Sequence, residues 1–195
     1  MKNTLLTVLL LLSSAAALAA DKVPAHPHIE MVTSEGTIKL ELDGRQAPMT
    51  VAHILKLVDS GFYDGTIFHR VIPGFMAQGG GYTPGLKLKQ SDEKIPNESG
   101  NGMTNVRGTI AMARTNDPHS ANSQFFINVA DNVRLDPTKR ASNGRWGYTV
   151  FGAVIEGMDV VDKIVNSKTG PGGEFSKDVP QVPIIIKKVS RITYE

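Results

Sequence analysis

Hydrophobic and polar residues alternate in two short runs near the beginning of the chain. The runs are Ile29–Thr33 and Ile38–Leu42, and the polar, glycine-containing segment Ser34–Gly36 separates them. A period of two residues on both sides of a turn is typical of a β-hairpin, because successive side chains of a strand point to opposite faces. We therefore expect the fold to open with two antiparallel strands.

Two other segments have a helical period. In Pro48–Ser60 the apolar residues recur at helical spacing until Gly61, and a proline occupies the first turn, where its missing N–H is tolerated. Met158–Asn166 has the same spacing, with its apolar residues on one face. We predict one helix in each segment.

Shorter apolar runs, each bounded by Gly, Pro, Asn or Asp, occupy much of the remaining chain. They are Phe68–Ile72, Phe75–Gln78, Thr109–Ala113, Gln124–Val129, Tyr148–Val154 and Ile184–Ile192. Many short strands with only two helices predict an all-β barrel or sandwich that is closed at its ends by helices, and they argue against alternating βαβ units. Three segments are predicted as loops or turns: Lys87–Gly102, Pro137–Gly144 and Gly170–Gly173.

The first twenty residues differ from the rest of the chain. Lys2 precedes the apolar run Leu5–Leu12 and the small-residue stretch Ser13–Ala20, which is the layout of a secretory signal peptide with cleavage after Ala19 or Ala20. The apolar run is shorter than the roughly 20 residues of a membrane span, so an uncleaved anchor is the weaker alternative. We expect a signal peptide over 1–20, a flexible tail over 21–27 and one domain over 28–195.

Charge and composition limit the classes of molecule that the chain can bind. The 21 Lys and Arg residues nearly balance the 19 Asp and Glu residues, giving a net charge of +2, and the chain has no cysteine. Binding to nucleic acid or to an anionic membrane needs clustered cations, so we expect neither partner. Without cysteine the chain can form no disulfide and carry no lipid anchor of the bacterial lipoprotein type. No coiled-coil heptad is visible, and we expect a monomer.

The segment Phe68–Gly80 resembles a known protein family. Its sequence is Phe-His-Arg-Val-Ile-Pro-Gly-Phe-Met-Ala-Gln-Gly-Gly. This run resembles the signature of the cyclophilins almost letter for letter, and a match of that length and mixed chemistry is specific. Ser60–Thr66, Gly108–Arg114 and Ser123–Ile127 resemble neighbouring segments of the same family. The resemblance extends over Ile29–Ile192. It implies an eight-stranded antiparallel β-barrel with a helix over each open end, and peptidyl-prolyl cis/trans isomerase activity without a cofactor or metal.

The resemblance also implies a set of site residues. Arg70 matches the family's catalytic arginine, and a guanidinium is a rigid, permanently charged donor. Strand alternation places His69 on the face opposite Arg70. The positions that match substrate-binding residues are Phe75, Met76, Gln78, Ala113, Gln124, Phe126, Leu135 and Tyr148.

Within this set the resemblance assigns different roles. The apolar pocket for proline corresponds to Phe75, Met76, Phe126 and Leu135. Gln78 corresponds to the residue that orients the arginine. Ala113 and Gln124 correspond to residues that contact the peptide backbone. Tyr148 stands at the rim, where many eukaryotic members have a histidine.

One departure from the family pattern concerns inhibitor binding. Arg134 stands where eukaryotic members have a tryptophan just before Leu135, so we expect weak cyclosporin binding. The leader, together with Met112–Thr115 and Asn128–Asp131, is similar to the periplasmic cyclophilins of Gram-negative bacteria. A periplasmic location is therefore expected, with proline-containing segments of exported proteins as substrates.

Simpler explanations of the same residues remain. Arg70 is compatible with a structural ion pair, Phe75, Met76 and Phe126 with core packing, and Gln124 with a hydrogen-bonded barrel residue. The rival function is a chaperone or holding module that binds proline-containing segments and catalyses only incidentally. A lipocalin-type ligand carrier is a third hypothesis, but it leaves Phe68–Gly80 unexplained.

Overall fold

The structure is a computed structural model that describes residues 23–138 and 145–193. These residues contain ten strands, two α-helices and one 3-10 turn at Val133–Leu135. The helices are α1 (Pro48–Asp59) and α2 (Met158–Val165). The strands are β1 (His28–Thr33), β2 (Thr37–Leu42), β3 (Ile67–Ile72), β4 (Met76–Gly79), β5 (Thr109–Met112), β6 (Phe125–Asn128), β7 (Val150–Glu156), β8 (Thr169–Gly172), β9 (Phe175–Pro180) and β10 (Ile184–Ile192).

Eight of these strands close into an antiparallel barrel in the order β1-β10-β3-β4-β6-β5-β7-β2. The hairpin predicted at the start of the domain is confirmed, with Met31 opposite Ile38 across β1 and β2. α1 packs against β10, and α2 contacts β2, β3 and β4. The mainly β class, the closed eight-stranded barrel and both predicted helices are confirmed.

The barrel encloses one hydrophobic cluster, which we call the interior core. Alternate residues of the strands contribute to it, and α1 and α2 add Val51, Ile54, Val161 and Ile164. Burial of these apolar side chains is the main source of stability, at about 25 cal/mol per Å² removed from water. Its largest fully buried side chains include Phe68, Phe125, Phe151, Met31, Leu40 and Ile186.

A second hydrophobic cluster, which we call the outer cluster, is separate from the interior core. Its buried members are Met76, Ala111, Phe126 and Val150. They alternate along β4, β5, β6 and β7 with residues of the interior core, such as Ala77, Ile110 and Phe125, so they point to the outside of the barrel. Partly buried residues complete the cluster: Ile72, Phe75, Met103, Ala113, Leu135 and Tyr148.

The two-stranded sheet of β8 and β9 was not predicted. The sequence predicts a turn at Gly170–Gly173, because glycine and proline are poor strand formers. In the structure, however, Thr169 pairs with Pro180 and Gly172 with Phe175. The sheet packs on β3, so tertiary contacts override the local preference. The sequence Thr-Gly-Pro-Gly of β8 gives no local sign of this pairing.

The long loop predicted at Lys87–Gly102 is only partly solvated. Ile95 within it is buried at 5 % exposure, and its N–H donates to the carbonyl of Ala121 at 2.9 Å. Of the second predicted loop, Pro137–Gly144, residues 139–144 lie outside the described residues, as do residues 1–22 of the expected leader and tail. In the described part of the chain, no helix has the length and apolar character needed to cross a membrane.

Val23–Pro27, the described part of the expected tail, lies beside the end of β2. Leu42 N–H donates to the Pro27 carbonyl at 2.8 Å, and Gly44 N–H donates to the Ala25 carbonyl at 2.9 Å. A Cβ at Gly44 would lie 2.2 Å from the Pro24 carbonyl oxygen, so this approach requires glycine. The segment thus begins the ordered backbone pairing of the domain.

Candidate active site

A β-bulge in β3 sets the direction of the central arginine. The ladder between β3 and β4 pairs Phe68 with Gly79 and then Arg70 with Gln78, so His69 is skipped. Phe68 and Val71 both belong to the interior core, whereas the His69 ring lies beside Phe175 and Arg70 lies near Asp178, both on β9 outside the barrel. The expectation that His69 and Arg70 point to opposite faces is therefore wrong, because the bulge interrupts the alternation.

A surface pocket of about 170 Å³ lies over the outer cluster. It brings together the predicted arginine and seven of the eight predicted substrate residues, because only Gln124 is absent from its lining. The lining contains no Asp, Glu, His, Lys or Cys among the described residues, so it offers no carboxylate or imidazole for proton transfer. The lining residues are Arg70, Phe75, Met76, Gln78, Ala113, Arg114, Phe126, Leu135 and Tyr148.

The floor of the pocket is apolar. Met76 and Phe126 are buried, and the ring of Phe126 meets the ring of Tyr148 edge-on with centroids 5.6 Å apart. Phe75, Leu135 and Ala113 stand around them with part of their surface exposed. An apolar floor of this kind suits a small apolar ring.

Two further arginines stand beside these aromatic rings. The guanidinium carbon of Arg114 is 4.6 Å from the centroid of the Tyr148 ring, and that of Arg134 is 4.7 Å from the centroid of the Phe75 ring. Arg114 also donates to three backbone carbonyls, those of Gly147, Thr115 and Trp146. Arg114 is thus a fixed wall of the pocket. The sequence did not indicate this role, although Arg114 ends a segment that resembles the family.

Gln124 lies beside the pocket rather than in its lining. Its amide oxygen accepts a hydrogen bond from Gln78 Nε2 at 3.0 Å. Both glutamines line a neighbouring depression with Ala113 and Arg114. Gln78 therefore lines both the pocket and this depression. A Cβ at Gly81 would lie 2.2 Å from Gln124 Cγ. The place of Gln124 therefore depends on a glycine at position 81.

The side chain paired with Arg70 is one that the sequence did not indicate. Arg70 Nε lies 3.7 Å from Oδ2 of Asp178, which is on β9. The amide of Gln78, expected to orient the arginine, instead donates to Gln124. Asp178 was missed because β9 was missed, and no local motif marks it.

Comparison with known proteins places this architecture in a family. The family model for the cyclophilin type peptidyl-prolyl cis-trans isomerase/CLD matches residues 28–191. This chain is a cyclophilin. It belongs to the peptidyl-prolyl cis/trans isomerases, as predicted from the Phe68–Gly80 segment.

Curated relatives of this cyclophilin are bacterial isomerases. It is 47 % identical to peptidyl-prolyl cis-trans isomerase A of Dickeya dadantii over 191 residues, which are 98 % of each chain. Identity to isomerase B of Escherichia coli is 51 % over 158 residues, covering 81 % of this chain and 95 % of the relative. Identity to isomerase cyp18 of Streptomyces antibioticus is 55 % over 159 residues, covering 82 % and 95 %.

A solved structure shares the fold of this cyclophilin. The crystal structure of a cyclophilin-type isomerase of Cryptosporidium parvum superimposes with a TM-score of 0.68 at 26 % identity, covering 87 % of this chain and 99 % of that one. A second crystal structure of the same protein, determined in the presence of the dipeptide Ala-Pro, gives a TM-score of 0.67 at 26 % identity, covering 86 % and 99 %.

The electrostatics of this cyclophilin near Arg70 keep its neighbouring histidine neutral. His69 is 1 % exposed, with its ring 4.5 Å from that of Tyr82 and 5.6 Å from that of Phe175. Burial lowers the pKa of His69 to about 4, and the positive charge of Arg70 adds to this effect. Burial and the hydrogen bond to Glu174 raise the pKa of Tyr82 to about 12. Neither group changes its charge near neutral pH.

Proposed function

We propose that this cyclophilin catalyses rotation about X-Pro peptide bonds in exported proteins and so assists their folding. Arg70 stabilises the twisted amide, and the apolar side chains of the outer cluster hold the proline ring. The observation that carries this proposal is the lining of one pocket, in which Arg70 and Gln78 meet the buried Met76 and Phe126.

The reaction sets modest chemical demands. Resonance in the peptide bond gives a rotational barrier of about 18–20 kcal/mol, and no covalent bond is broken. In the twisted state the resonance is lost, and the prolyl nitrogen regains a lone pair that can accept a hydrogen bond. Binding this state more tightly than the two planar isomers lowers the barrier. A pocket lining without a carboxylate or imidazole is consistent with such a mechanism.

Arg70 supplies a donor that is always charged. A charge-assisted hydrogen bond contributes about 1.5–3 kcal/mol, which corresponds to one or two decades in rate. The remainder must come from fixing the proline while the preceding carbonyl rotates. Phe75, Met76, Phe126 and Leu135, which line the pocket, would hold the ring.

The polar residues of the site would bind the rest of the peptide. Ala113 N–H already donates to the Gln124 carbonyl at 2.9 Å, so pairing of Ala113 with a substrate backbone would use the Ala113 carbonyl. Gln124, held by Gln78, would contact the peptide from the adjoining depression. The Tyr148 hydroxyl would serve as a donor at the rim.

The leader and the bacterial relatives support a periplasmic location. The match to the Dickeya dadantii isomerase covers 98 % of this chain, so the leader region takes part in it. We propose that residues 1–20 are removed on export and that 28–195, with the paired segment Val23–Pro27 before them, form the monomeric domain.

Removal of residues 1–20 should leave a soluble and active domain, because the interior core begins with β1 and the leader adds nothing to it. Activity and light scattering of the shortened chain test this. Mass spectrometry of the exported protein reports cleavage after Ala19 or after Ala20. Loss of solubility or of activity on shortening would contradict the proposed boundary.

The decisive experiment replaces Arg70 by Ala. We expect kcat/KM to fall by about 10²–10³, equivalent to about 3–4 kcal/mol, with little change in folding or peptide binding. Arg70→Lys should rescue poorly, because an ammonium cannot present fixed donors in one plane. The wild-type rate should be nearly flat from about pH 6 to 8, since no proton transfer is involved.

NMR exchange spectroscopy on a proline peptide measures binding and interconversion in one sample. An Arg70→Ala protein that is folded, binds the peptide and interconverts its isomers at the wild-type rate would refute the catalytic role of Arg70. That outcome would favour the holding module, which needs the apolar pocket but no donor directed at the prolyl nitrogen.

A further inference from the structure

The hairpin of β8 and β9 is attached to the strand that carries Arg70. Phe175 of β9 packs its ring 5.6 Å from that of His69 and 5.2 Å from that of Tyr82. The Tyr82 hydroxyl donates to Glu174 Oε1 at 2.5 Å, at the tip of the hairpin. These contacts fix the hairpin against β3 from outside the barrel.

The hairpin holds Asp178 in an unusual backbone conformation. Apart from glycines, only Leu86 and Asp178 have positive φ among the described residues, and the value at Asp178 is +67°. An L-residue in the left-handed region is strained, although aspartate tolerates it better than most residues. A register shift between Gly170 and Gly172 leaves Asp178 outside the paired positions of β9. Such irregularities redirect a side chain.

The redirected carboxylate faces the arginine of the site. Asp178 Oδ2 lies 3.7 Å from Arg70 Nε, and the side chain of Asp178 is 19 % exposed against 37 % for Arg70. This distance exceeds a hydrogen bond, so the pair acts through charge. The Arg107–Asp162 pair, by comparison, is more exposed and involves no left-handed residue. Strain at a partly buried charge beside a site points to a role there.

We propose that Asp178 is a positioning residue for Arg70, an inference that rests on the proposed function. An arginine side chain has many rotamers, and ordering it costs conformational entropy. A carboxylate on the Nε side restricts those rotamers before substrate arrives, and it leaves the donors on Nη1 and Nη2 for the pocket. Asp178 touches no reacting atom and acts only through Arg70.

Three variants test this role. Asp178→Asn keeps the size and the tolerance for positive φ but removes the charge, and Asp178→Gly removes the strain as well. We expect kcat to fall about threefold to tenfold in both, with KM nearly unchanged. The melting temperature of the glycine variant should equal or exceed that of the wild type. Glu174→Gln is the matched control, because it removes a charge from the same hairpin and keeps an acceptor for Tyr82.

Two readouts separate positioning from a general structural effect. The Arg70 Nε–H resonance in ¹⁵N NMR should be sharp and slowly exchanging in the wild type and broadened in Asp178→Asn. In a double-mutant cycle, Asp178→Asn should cost nothing further once Arg70 is Ala.

The outcomes are distinguishable. Wild-type kcat in Asp178→Asn, or an equal loss in Glu174→Gln, overturns the positioning role while Arg70→Ala still tests the proposed function. Additive losses in the cycle also overturn it. Wild-type turnover in Arg70→Ala overturns the proposed function itself.

Discussion

The two hydrophobic clusters are built from neighbouring residues of the same strands but have different surroundings. On β6, Phe125 belongs to the interior core and Phe126 to the outer cluster. The Phe125 ring packs edge-on against Tyr63 and Phe68 inside the barrel, whereas the Phe126 ring meets Tyr148 under an open pocket. One strand thus contributes to stability on one face and to the site on the other.

Replacing each phenylalanine by Ala tests this difference most strongly. Phe125→Ala should lower the free energy of unfolding by about 3–5 kcal/mol, because it leaves a cavity in an enclosed core. Phe126→Ala should lower the free energy of unfolding by a smaller amount. It should weaken peptide binding by more than about tenfold, because the pocket loses part of its floor. Denaturant unfolding and peptide titration of both variants measure the two effects. Equal losses of stability with unchanged peptide affinity would abolish the distinction between the clusters.

His69 occupies a third environment, under the β8–β9 hairpin, and its pKa makes that environment measurable. A histidine whose pKa is about 4 in the fold and 6.5 when unfolded binds its proton more readily in the unfolded chain. Stability should therefore fall as the pH drops from 6.5 to 4, by about 3 kcal/mol from this residue. Above pH 6.5 His69 is neutral in both states and contributes no pH dependence.

His69→Phe keeps an aromatic ring beside Tyr82 and Phe175 and should flatten this part of the profile. Urea unfolding measures the free energy of unfolding at several pH values. The difference in this free energy between variant and wild type removes the contribution of the carboxylates. Parallel profiles for the two proteins would show that His69 binds its proton in the fold as readily as in the unfolded chain.

Substitution of Arg134, at the edge of the outer cluster, should have the smallest effect of these variants, and the effect is on inhibitor binding. Its guanidinium lies over Phe75, in place of an indole that would add apolar area and an N–H donor. We expect weak cyclosporin inhibition of the wild type and about tenfold stronger inhibition of Arg134→Trp. Arg134→Ala separates loss of the cation from gain of the indole. Equal inhibition constants for wild type and Arg134→Trp would contradict this role of the rim.

The sequence predicted the parts of the fold that depend on local periodicity. Alternation along β1 and β2 and helical spacing in α1 and α2 identified these elements with ends within one or two residues of those observed. Burial of one face of each element imposes the pattern, so the pattern is visible in the residues. The resemblance at Phe68–Gly80 then supplied most of the residues that line the pocket.

The rest depended on contacts between distant segments. Asp178 and Arg70 are far apart in the chain, and neither β9 nor the bulge that skips His69 has a local pattern. Arg114 was missed because the pairing of its guanidinium with Gly147 and Trp146 depends on how two loops meet. In each case a side chain is placed by tertiary packing and not by the residues next to it.

Closure of the barrel has a consequence for the proposed action on unfolded chains. β1 pairs with β10 on one side and with β2 on the other, and each of the eight barrel strands likewise has two neighbours. An exposed strand edge is a template on which an extended polypeptide can add by backbone hydrogen bonds, which starts aggregation. The barrel offers no such edge. Under the proposed function, a client segment held over the outer cluster can therefore be released without pairing to a strand of the barrel.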